Sequence, residues 1–297
     1  MASSDHRMLT EPRGSSLGAL AEAAEDRFGA QSTLLFEGAS LTFAALGETA
    51  RRFASGLRSL GVRPGDRVAV CMANCPEVLE TYRALWRIGA VVTPLLFLLS
   101  SDELRAALSD SGAVAVVTTP EFLPKLRAAS DGLDVRCVIT GPAVGSAASF
   151  DELAAGPEAP LVSVDPSSMA ALLYTGGTTG RAKGVMLSHD ALSTAAWSAT
   201  LAGIDAEHAV SLTPLPLAHV YGLMVSVMSV HAVHPSRSVL MRWFDAAGWL
   251  ELAQKERVEI GALVPTMLRL LAAQPLESYD LSALRRLVSG SAPLPAE

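Results

Sequence analysis

The stretch that decides the fold is residues 172–189, LLYTGGTTGRAKGVMLSH. An apolar run leads into a loop of glycines and threonines, a lysine follows, and a second apolar run comes after it. Short apolar runs bounded by turn residues are typical of buried strands. The pattern predicts two strands, Ala170–Tyr174 and Val185–Leu187, joined by the Gly/Thr loop.

The loop between these strands carries groups that can hold a chain of phosphates. Glycines let backbone N–H groups turn toward one point and approach a ligand closely, while threonine hydroxyls and a lysine ammonium add donors and charge. The candidate phosphate-binding residues are Thr175, Gly176, Gly177, Thr178, Thr179, Gly180 and Lys183. The loop lacks the spacing of a Walker A loop and of a G-x-G-x-x-G dinucleotide fingerprint. A flexible turn between two strands is the alternative interpretation.

On the N-terminal side, short β-branched runs alternate with helical patterns. An apolar stripe from Leu46 to Leu60 has the spacing of an amphipathic helix. Asn74 followed by Glu77, and Ser100 followed by Glu103, predict the N-caps of two further helices. The predicted strands are Val68–Met72, Ala90–Val92, Val114–Val117 and Val135–Ile139. Strands alternating with helices predict a parallel sheet covered on both faces.

On the C-terminal side, residues 141–166 are rich in Gly, Ala, Ser and Pro and predict a linker. Further strands are predicted at Ser238–Met241 and Ile260–Val264. Helices are predicted after His189, Tyr221, Asp245 and Pro265. The fold class is therefore α/β, with two lobes of mainly parallel sheets flanked by helices. The first lobe is placed at residues 1–165, and the second, with the phosphate-binding loop, at 166–297.

Composition narrows the choice of partners. The chain has 297 residues, 50% of them hydrophobic, and 23 Lys+Arg against 30 Asp+Glu give a formal net charge of −7. This composition excludes a disordered chain and gives no basic field for nucleic acid. Three cysteines (Cys71, Cys75 and Cys137) cannot form a disulfide framework and fit a reducing compartment. We expect Cys71 and Cys75 to be small buried hydrophobic residues.

The chain shows no signal for secretion or for a membrane. Its first residues have no apolar core of a signal peptide. Residues 208–236 lack Asp, Glu, Lys and Arg, but Pro214 and Pro216 interrupt them. The remaining apolar run is shorter than the roughly 20 residues that a membrane span requires. We expect a soluble, cytoplasmic protein.

The run YTGGTTGRAKGVMLSH resembles the phosphate-binding signature of the adenylate-forming superfamily, which comprises acyl-CoA synthetases, luciferases and the adenylation domains of peptide synthetases. Gly176 stands where this family frequently has Ser, and Ala182 where it frequently has Pro. Weaker resemblances in the same order cover residues 41–68, 74–104, 215–222, 264–266 and 288–294. The family's ribose-binding aspartate, hinge and small domain with a catalytic lysine would follow Glu297. The resemblance thus implies the N-terminal part of such an enzyme, inactive by itself.

The resemblance also implies a reaction. A carboxylate joins the α-phosphate of ATP with release of pyrophosphate, and the acyl group then passes to coenzyme A; the cofactors implied are ATP, Mg²⁺ and coenzyme A. Lys183 and His219 become the candidate catalytic residues. His219 would lie beside the reacting carboxylate, the alternative being a core histidine bonded to backbone.

Further binding residues are implied around these two. His219, Tyr221, Gly222, Met224 and Val264 are the candidates for the acyl pocket, although such apolar side chains also suit a plain core. Gly290, Ser291 and Ala292 are candidates for the adenine and acyl site, or else an ordinary turn after a strand. No residue is assigned to a metal, since His231 and His234 have no carboxylate close in sequence to complete a site.

The substrate is only partly defined. Residues 215–222 carry no acidic side chain for the ammonium group of an amino acid and no basic one for a second carboxylate. A fatty or aryl acid is therefore expected. Two other functions remain open, namely an acyl-AMP ligase that loads a carrier protein and a non-catalytic nucleotide- or acyl-binding module. The oligomeric state is not predicted.

Overall fold

The computed structural model describes residues 14–175, 182–201 and 210–293. The helices are α1 (Leu17–Phe28), α2 (Phe43–Ser59), α3 (Pro76–Arg87), α4 (Ser101–Ser111), α5 (Leu123–Ser130), α6 (Phe150–Ala154), α7 (His189–Leu201), α8 (Val220–Ser229), α9 (Ala246–Lys255) and α10 (Pro265–Ala272). The strands are β1 (Thr33–Phe36), β2 (Ala39–Thr42), β3 (Arg67–Cys71), β4 (Val91–Pro94), β5 (Ala115–Thr118), β6 (Arg136–Ile139), β7 (Ala148–Ser149), β8 (Met169–Thr175), β9 (Lys183–Ser188), β10 (Val210–Thr213), β11 (Arg237–Leu240), β12 (Ile260–Leu263) and β13 (Arg286–Ser289).

These strands form two sheets. The first sheet has the order β7-β6-β5-β3-β4-β8-β9, and all its pairs are parallel except β8 with β9. The second sheet has the order β13-β12-β10-β11-β1-β2, and only β1 and β2 are antiparallel. The predicted α/β class with mainly parallel sheets is confirmed.

The two sheets exchange strands across the predicted lobe boundary. The β8–β9 hairpin follows residue 165 but pairs with β4 of the first sheet, while β1 from the N-terminal part pairs with β11 of the second. The sheets therefore do not divide at 165/166, and the division into two lobes there stays a prediction. One core cluster spans this boundary, since it contains Phe53 and Val68 together with Leu217 and Leu223.

The prediction of a linker at 141–166 is wrong for part of this segment. This segment contains β7 and α6, and Ser149 caps α6 by accepting a hydrogen bond from the Glu152 N–H. Phe150 is fully buried, with its ring centroid 4.0 Å from that of Phe53 on α2. The sequence around α6 consists mostly of small residues and therefore resembles a linker, but the burial of one aromatic side chain, Phe150, holds this five-residue helix in place.

Other local predictions are confirmed. Ser100 and Glu103 form the expected capping box at α4, and Cys71 and Cys75 are buried. The strands β1, β2, β10 and β13 are not predicted by the sequence patterns. No described helix is long and apolar enough to cross a membrane; a cytoplasmic location stays a prediction.

The strand directions define where a ligand can bind. In open α/β sheets, ligands bind beyond the carboxyl ends of the parallel strands. The candidate loop follows β8 at this edge of the first sheet. The other candidates follow β10, β12 and β13 at the same edge of the second sheet.

Candidate nucleotide and acyl site

The candidate phosphate loop is closed at its base by a strand pair. In the antiparallel register of β8 and β9, Thr175 lies opposite Lys183, and both residues are exposed. Directly opposed residues project their side chains to the same face, so the Thr175 hydroxyl and the Lys183 ammonium share one side of the hairpin. Gly176, Gly177, Thr178, Thr179 and Gly180 lie outside the described residues.

The face that these two residues share is the one that points toward the second sheet. Side chains two residues apart in a strand lie on the same face, so Thr175 is on the side of Leu173. Leu173 belongs to the core cluster that also contains Leu217 and Leu223. The base of the hairpin and the start of α8 are therefore on the same side of the first sheet.

The opposite face of the hairpin is anchored by Tyr174. Its hydroxyl donates a hydrogen bond to the Asp110 carboxylate at the end of α4, with an O–O distance of 2.7 Å. Burial and this carboxylate both raise the pKa of Tyr174, so the hydroxyl stays protonated as a donor.

The segment 215–222, between β10 and the first turn of α8, is held from the first sheet. The buried Asn74, which follows β3, donates from Nδ2 to the carbonyl oxygens of Leu215 (3.0 Å) and Met241 (2.9 Å). Its Oδ1 accepts a hydrogen bond from the Leu217 N–H at 2.7 Å. The prediction that Asn74 caps α3 is thus wrong; Cys75 occupies the N-cap position, without a side-chain hydrogen bond.

Two further contacts fix the backbone of Leu217. The Tyr82 hydroxyl on α3 donates to the Leu217 carbonyl oxygen at 2.9 Å. Gly222 allows α8 to pack directly on this backbone, because a Cβ atom at position 222 would lie 2.2 Å from the Leu217 Cα. Sequence reasoning placed Gly222 in the site but missed Asn74 and Tyr82, whose partners lie 135 to 167 residues away along the chain.

His219 occupies the N-cap position of α8. Its Nδ1 accepts a hydrogen bond from the Tyr221 N–H at 3.4 Å. Burial lowers the pKa of the half-buried imidazole, which is therefore neutral near pH 7. Because Nδ1 is the acceptor, the neutral ring carries its hydrogen on Nε2. His219 is thus bonded to backbone and also presents a donor N–H.

The remaining candidates lie on α8 and after the strands β12 and β13. Tyr221 and Met224 on α8 are half-buried, and Met224 packs against the main core cluster. Leu263 pairs with Ser289 in the parallel register of β12 and β13, so Val264 and Gly290 begin adjacent loops. Gly290, Ser291 and Ala292 are exposed, and Ser291 has a left-handed φ of 70°.

Comparison with known proteins assigns the family. The model of the AMP-binding enzyme family matches residues 20–297. The chain belongs to this family. Its relatives include the feruloyl-CoA synthase of an Amycolatopsis species, which is 38% identical over 265 residues, or 88% of this chain and 51% of the relative. The 4-coumarate–CoA ligase 2 of Solanum tuberosum is 34% identical over 269 residues, or 86% of this chain and 48% of the relative. The chain thus spans about half the length of the curated relatives it matches.

The fold also corresponds to that of solved AMP-binding enzymes. The N-terminal domain of FACL13 from Mycobacterium tuberculosis superimposes with a TM-score of 0.84 at 26% identity, covering 95% of this chain and 71% of that chain. The two-sheet architecture is therefore the fold of the N-terminal domain of an adenylate-forming enzyme.

The described residues of this AMP-binding chain fit phosphates better than a resident metal. Thr175 and Lys183 supply a hydroxyl and an ammonium on one exposed face. Within the ranges that the structure describes, no group of three or more His, Cys, Asp or Glu side chains is placed to hold a metal ion. His231, half of the histidine pair considered from the sequence, bonds through Nε2 to the Ser193 hydroxyl at 3.1 Å.

Proposed function

We propose that this chain is the nucleotide- and acyl-binding part of an ATP-dependent acid–CoA ligase that acts on an aryl acid. The observation that carries the proposal is the pairing of Thr175 with Lys183 at the base of the Gly/Thr loop, at the carboxyl edge of the first sheet. Membership of the AMP-binding enzyme family supports the reaction class. The feruloyl- and 4-coumarate-specific names of the relatives favour an aryl acid over a fatty acid.

In the first half-reaction, a carboxylate oxygen of the acid attacks the α-phosphorus of ATP. The bond from this phosphorus to the bridging oxygen breaks, and pyrophosphate leaves with the negative charge. Lys183 and Thr175, together with the loop residues 176–180, would bind the β- and γ-phosphates. Lys183 would stabilise the charge that develops on the leaving group, since a fixed cation is most effective where charge accumulates.

The segment 215–222 would hold the acid. His219 is neutral with a hydrogen on Nε2, and it can donate a hydrogen bond to the carboxylate without adding a full positive charge. Tyr221 and Val264 would contribute walls for the aryl group. Because the segment has no acidic or basic side chain, it suits an uncharged ring. Gly290, Ser291 and Ala292 remain proposed contacts of the adenylate.

In the second half-reaction, the thiol sulfur of coenzyme A attacks the acyl carbon. The bond from this carbon to the AMP oxygen breaks, AMP leaves, and the thiol proton passes to solvent. Mg²⁺ and coenzyme A enter the proposal through the family resemblance.

The test uses the protein at its natural length with ATP, Mg²⁺ and coenzyme A. Ferulate, 4-coumarate, benzoate, octanoate and palmitate are compared by acid-dependent pyrophosphate release and by mass spectrometry of the thioester. We expect AMP, pyrophosphate and an acyl-CoA, with kcat/KM for the hydroxycinnamates at least about tenfold above that for the fatty acids, since even one extra or missing methylene group in an apolar pocket discriminates by about 10–200-fold.

The other outcomes are separable. Pyrophosphate release without an acyl-CoA, together with acylation of a phosphopantetheine carrier protein, would replace coenzyme A with a carrier as the acceptor. A preference for palmitate would overturn the aryl assignment. The absence of acid-dependent pyrophosphate release with every acid would overturn the ligase proposal and favour a binding module.

A further inference from the structure

We infer that Asn74 is a positioning residue for the acid substrate: it holds the segment 215–222 so that His219 meets the carboxylate. This inference deepens the proposed function and rests on it. Asn74 is not placed to touch the substrate itself, because its side-chain amide is used up in contacts with backbone.

Both amide hydrogens of Asn74 and its amide oxygen are hydrogen-bonded. Its side chain is 2% exposed, and an unsatisfied amide would be costly in such a place. Both Nδ2 hydrogens go to carbonyl oxygens, those of Leu215 and Met241, and Oδ1 accepts from the Leu217 N–H. One side chain at the end of β3 therefore holds the ends of β10 and β11 in the other sheet.

Leu217 is the residue that this arrangement fixes. Asn74 binds its N–H, Tyr82 binds its carbonyl oxygen, and Gly222 brings α8 against its Cα. His219 follows two residues later at the N-cap of α8. Since the peptide groups before His219 and the helix after it are both fixed, the direction of the imidazole is set by contacts from the first sheet.

Asn74 is not needed merely to keep the two sheets together. Trp243, which follows β11, makes edge-to-face contacts with Phe97 and Phe122, which follow β4 and β5 of the first sheet, at centroid distances of 5.2 and 6.0 Å. Arg242 pairs with Glu121 at 2.8 Å in the same region. These contacts remain when Asn74 is replaced, so the change acts mainly on the loop that precedes His219.

The experiment compares three variants of the natural-length protein. Asn74→Leu replaces the amide with an apolar group of similar shape, and Tyr82→Phe removes only the hydroxyl bound to Leu217. Thr118→Val is the matched control, because it removes a buried bond of 2.8 Å from the Thr118 hydroxyl to the Cys71 carbonyl within the first sheet. The measurements are kcat and KM for ferulate and, separately, KM for ATP, each per folded molecule.

We expect Asn74→Leu to lower kcat/KM for ferulate by about 10–100-fold, the loss that a displacement of about 1 Å can cause. The KM for ATP should stay within about twofold, because the side-chain hydrogen bonds of Asn74 go to Leu215, Leu217 and Met241, outside the β8–β9 hairpin. Tyr82→Phe should lower kcat/KM for ferulate by about 2–10-fold, as expected for one hydrogen bond. Thr118→Val should change neither KM by more than about twofold.

A second readout is independent of activity. The Leu217 amide should exchange its hydrogen faster in Asn74→Leu than in the unchanged protein, while the amides of β5 keep their protection. The positioning role would be overturned if Asn74→Leu and Thr118→Val lowered kcat/KM for ferulate and raised the KM for ATP to the same extent. Unchanged hydrogen exchange at Leu217 would overturn it as well. Should Asn74→Leu fail to fold, Tyr82→Phe decides by the same criteria. Inactivity of the unchanged protein toward all acids would instead overturn the proposed function.

Discussion

The β8–β9 hairpin and the segment 215–222 hold their candidate residues in opposite ways. Thr175 and Lys183 are exposed and depend on strand pairing within one hairpin. Leu217 is buried and depends on Asn74 and Tyr82, which lie 143 and 135 residues earlier in the chain. The hairpin offers exposed side chains to a charged ligand, whereas the segment 215–222 must hold one neutral imidazole in a single orientation.

The difference predicts which property each substitution changes. At the exposed hairpin residues Thr175 and Lys183, a substitution should act on ligand binding and catalysis and leave the free energy of unfolding nearly unchanged, because exposed side chains contribute little to it. In the segment 215–222, a substitution should change both stability and acid recognition, because the same backbone contacts serve both. The four predictions that follow test this separation, beginning with the largest effect.

Lys183→Ala should lower pyrophosphate-linked turnover of the natural-length protein by up to about 10²–10³-fold, the loss typical of one charge-stabilising group in a transition state. The free energy of unfolding should change by less than about 0.5 kcal/mol, since the residue is exposed. Steady-state pyrophosphate release and chemical denaturation measure the two quantities. Lys255→Ala, at another exposed lysine on α9, is the control and should leave both unchanged. An unaltered rate in Lys183→Ala would remove this lysine from the site.

Gly222→Ala should destabilise the protein by about 1–3 kcal/mol, because the added Cβ would lie 2.2 Å from the Leu217 Cα and 2.5 Å from its carbonyl oxygen. Backbone atoms cannot swing away as a side chain can, so α8 or the segment before it must shift. Kinetics of the folded fraction should show a raised KM for the acid.

Gly290→Ala is the matched control for this stability measurement. A Cβ at position 290 meets no described atom within 4 Å, so the free energy of unfolding should stay within about 0.5 kcal/mol. Equal destabilisation by the two substitutions would mean that the packing of α8 on Leu217 is not what Gly222 provides.

The same contrast explains how much the sequence could predict. The two strands that flank the Gly/Thr loop and the Ser100–Glu103 capping box are local patterns, and the structure has them where expected. The pattern of Asn74 and Glu77 is also that of a cap, yet the Asn74 amide binds residues of the other sheet. No local pattern distinguishes these two uses of an asparagine, because the competing partners lie far away in sequence.

Long-range pairing hid other features in the same way. The four residues of β1 give little periodicity, and their partner is β11, with Thr33 opposite Arg237. Phe150 identifies the buried helix α6 only once its contact with Phe53 is known. The roles of the site residues stay predictions for a related reason: recognition of a ligand depends on distances across the two sheets, which spacing along the chain does not contain.

The far end of the hairpin gives a pH-dependent test. His189 follows β9, is 1% exposed, and accepts a hydrogen bond at Nδ1 from the Leu17 N–H at 3.2 Å. Burial lowers its pKa to about 4. The unfolded chain therefore binds a proton between pH 6.5 and 4 that the folded protein excludes. The contribution of neutral His189 to the free energy of unfolding is therefore fully present above pH 6.5 and is lost as the pH falls toward 4. This loss amounts to about 1–2 kcal/mol after allowance for solvent screening.

His189→Gln keeps an acceptor for the Leu17 N–H but does not titrate, so it should remove this part of the slope. Denaturation series at pH 4.5 and 7 measure it as the difference between the protein and the variant. The protein must be compared with the variant because another buried group titrates in the opposite direction. Burial and the nearby Glu77 raise the pKa of Glu80 to about 8, so the stabilising contribution of this carboxyl is lost as the pH rises, and it cancels in the comparison. Identical slopes in the two proteins would show that His189 does not exclude a proton.

The smallest effect is expected at Tyr174, the anchor of the hairpin on its other face. Tyr174→Phe removes the hydrogen bond to Asp110, which should raise the KM for ATP by about two- to fivefold and lower stability by about 0.5–1 kcal/mol. Asp110→Asn keeps an acceptor and should have a smaller effect on both.

The loss is small because the pairing of β8 with β9 continues on both sides of Tyr174 and holds Thr175 opposite Lys183 without it. Within the described part of the chain, Leu217 lies outside any strand ladder, and its backbone is held by Asn74, Tyr82 and the packing of Gly222. If Tyr174→Phe lowered kcat/KM for ATP more than Asn74→Leu lowers it for the acid, the hairpin would be the region that depends on a distant anchor, and the comparison between the two regions would be reversed.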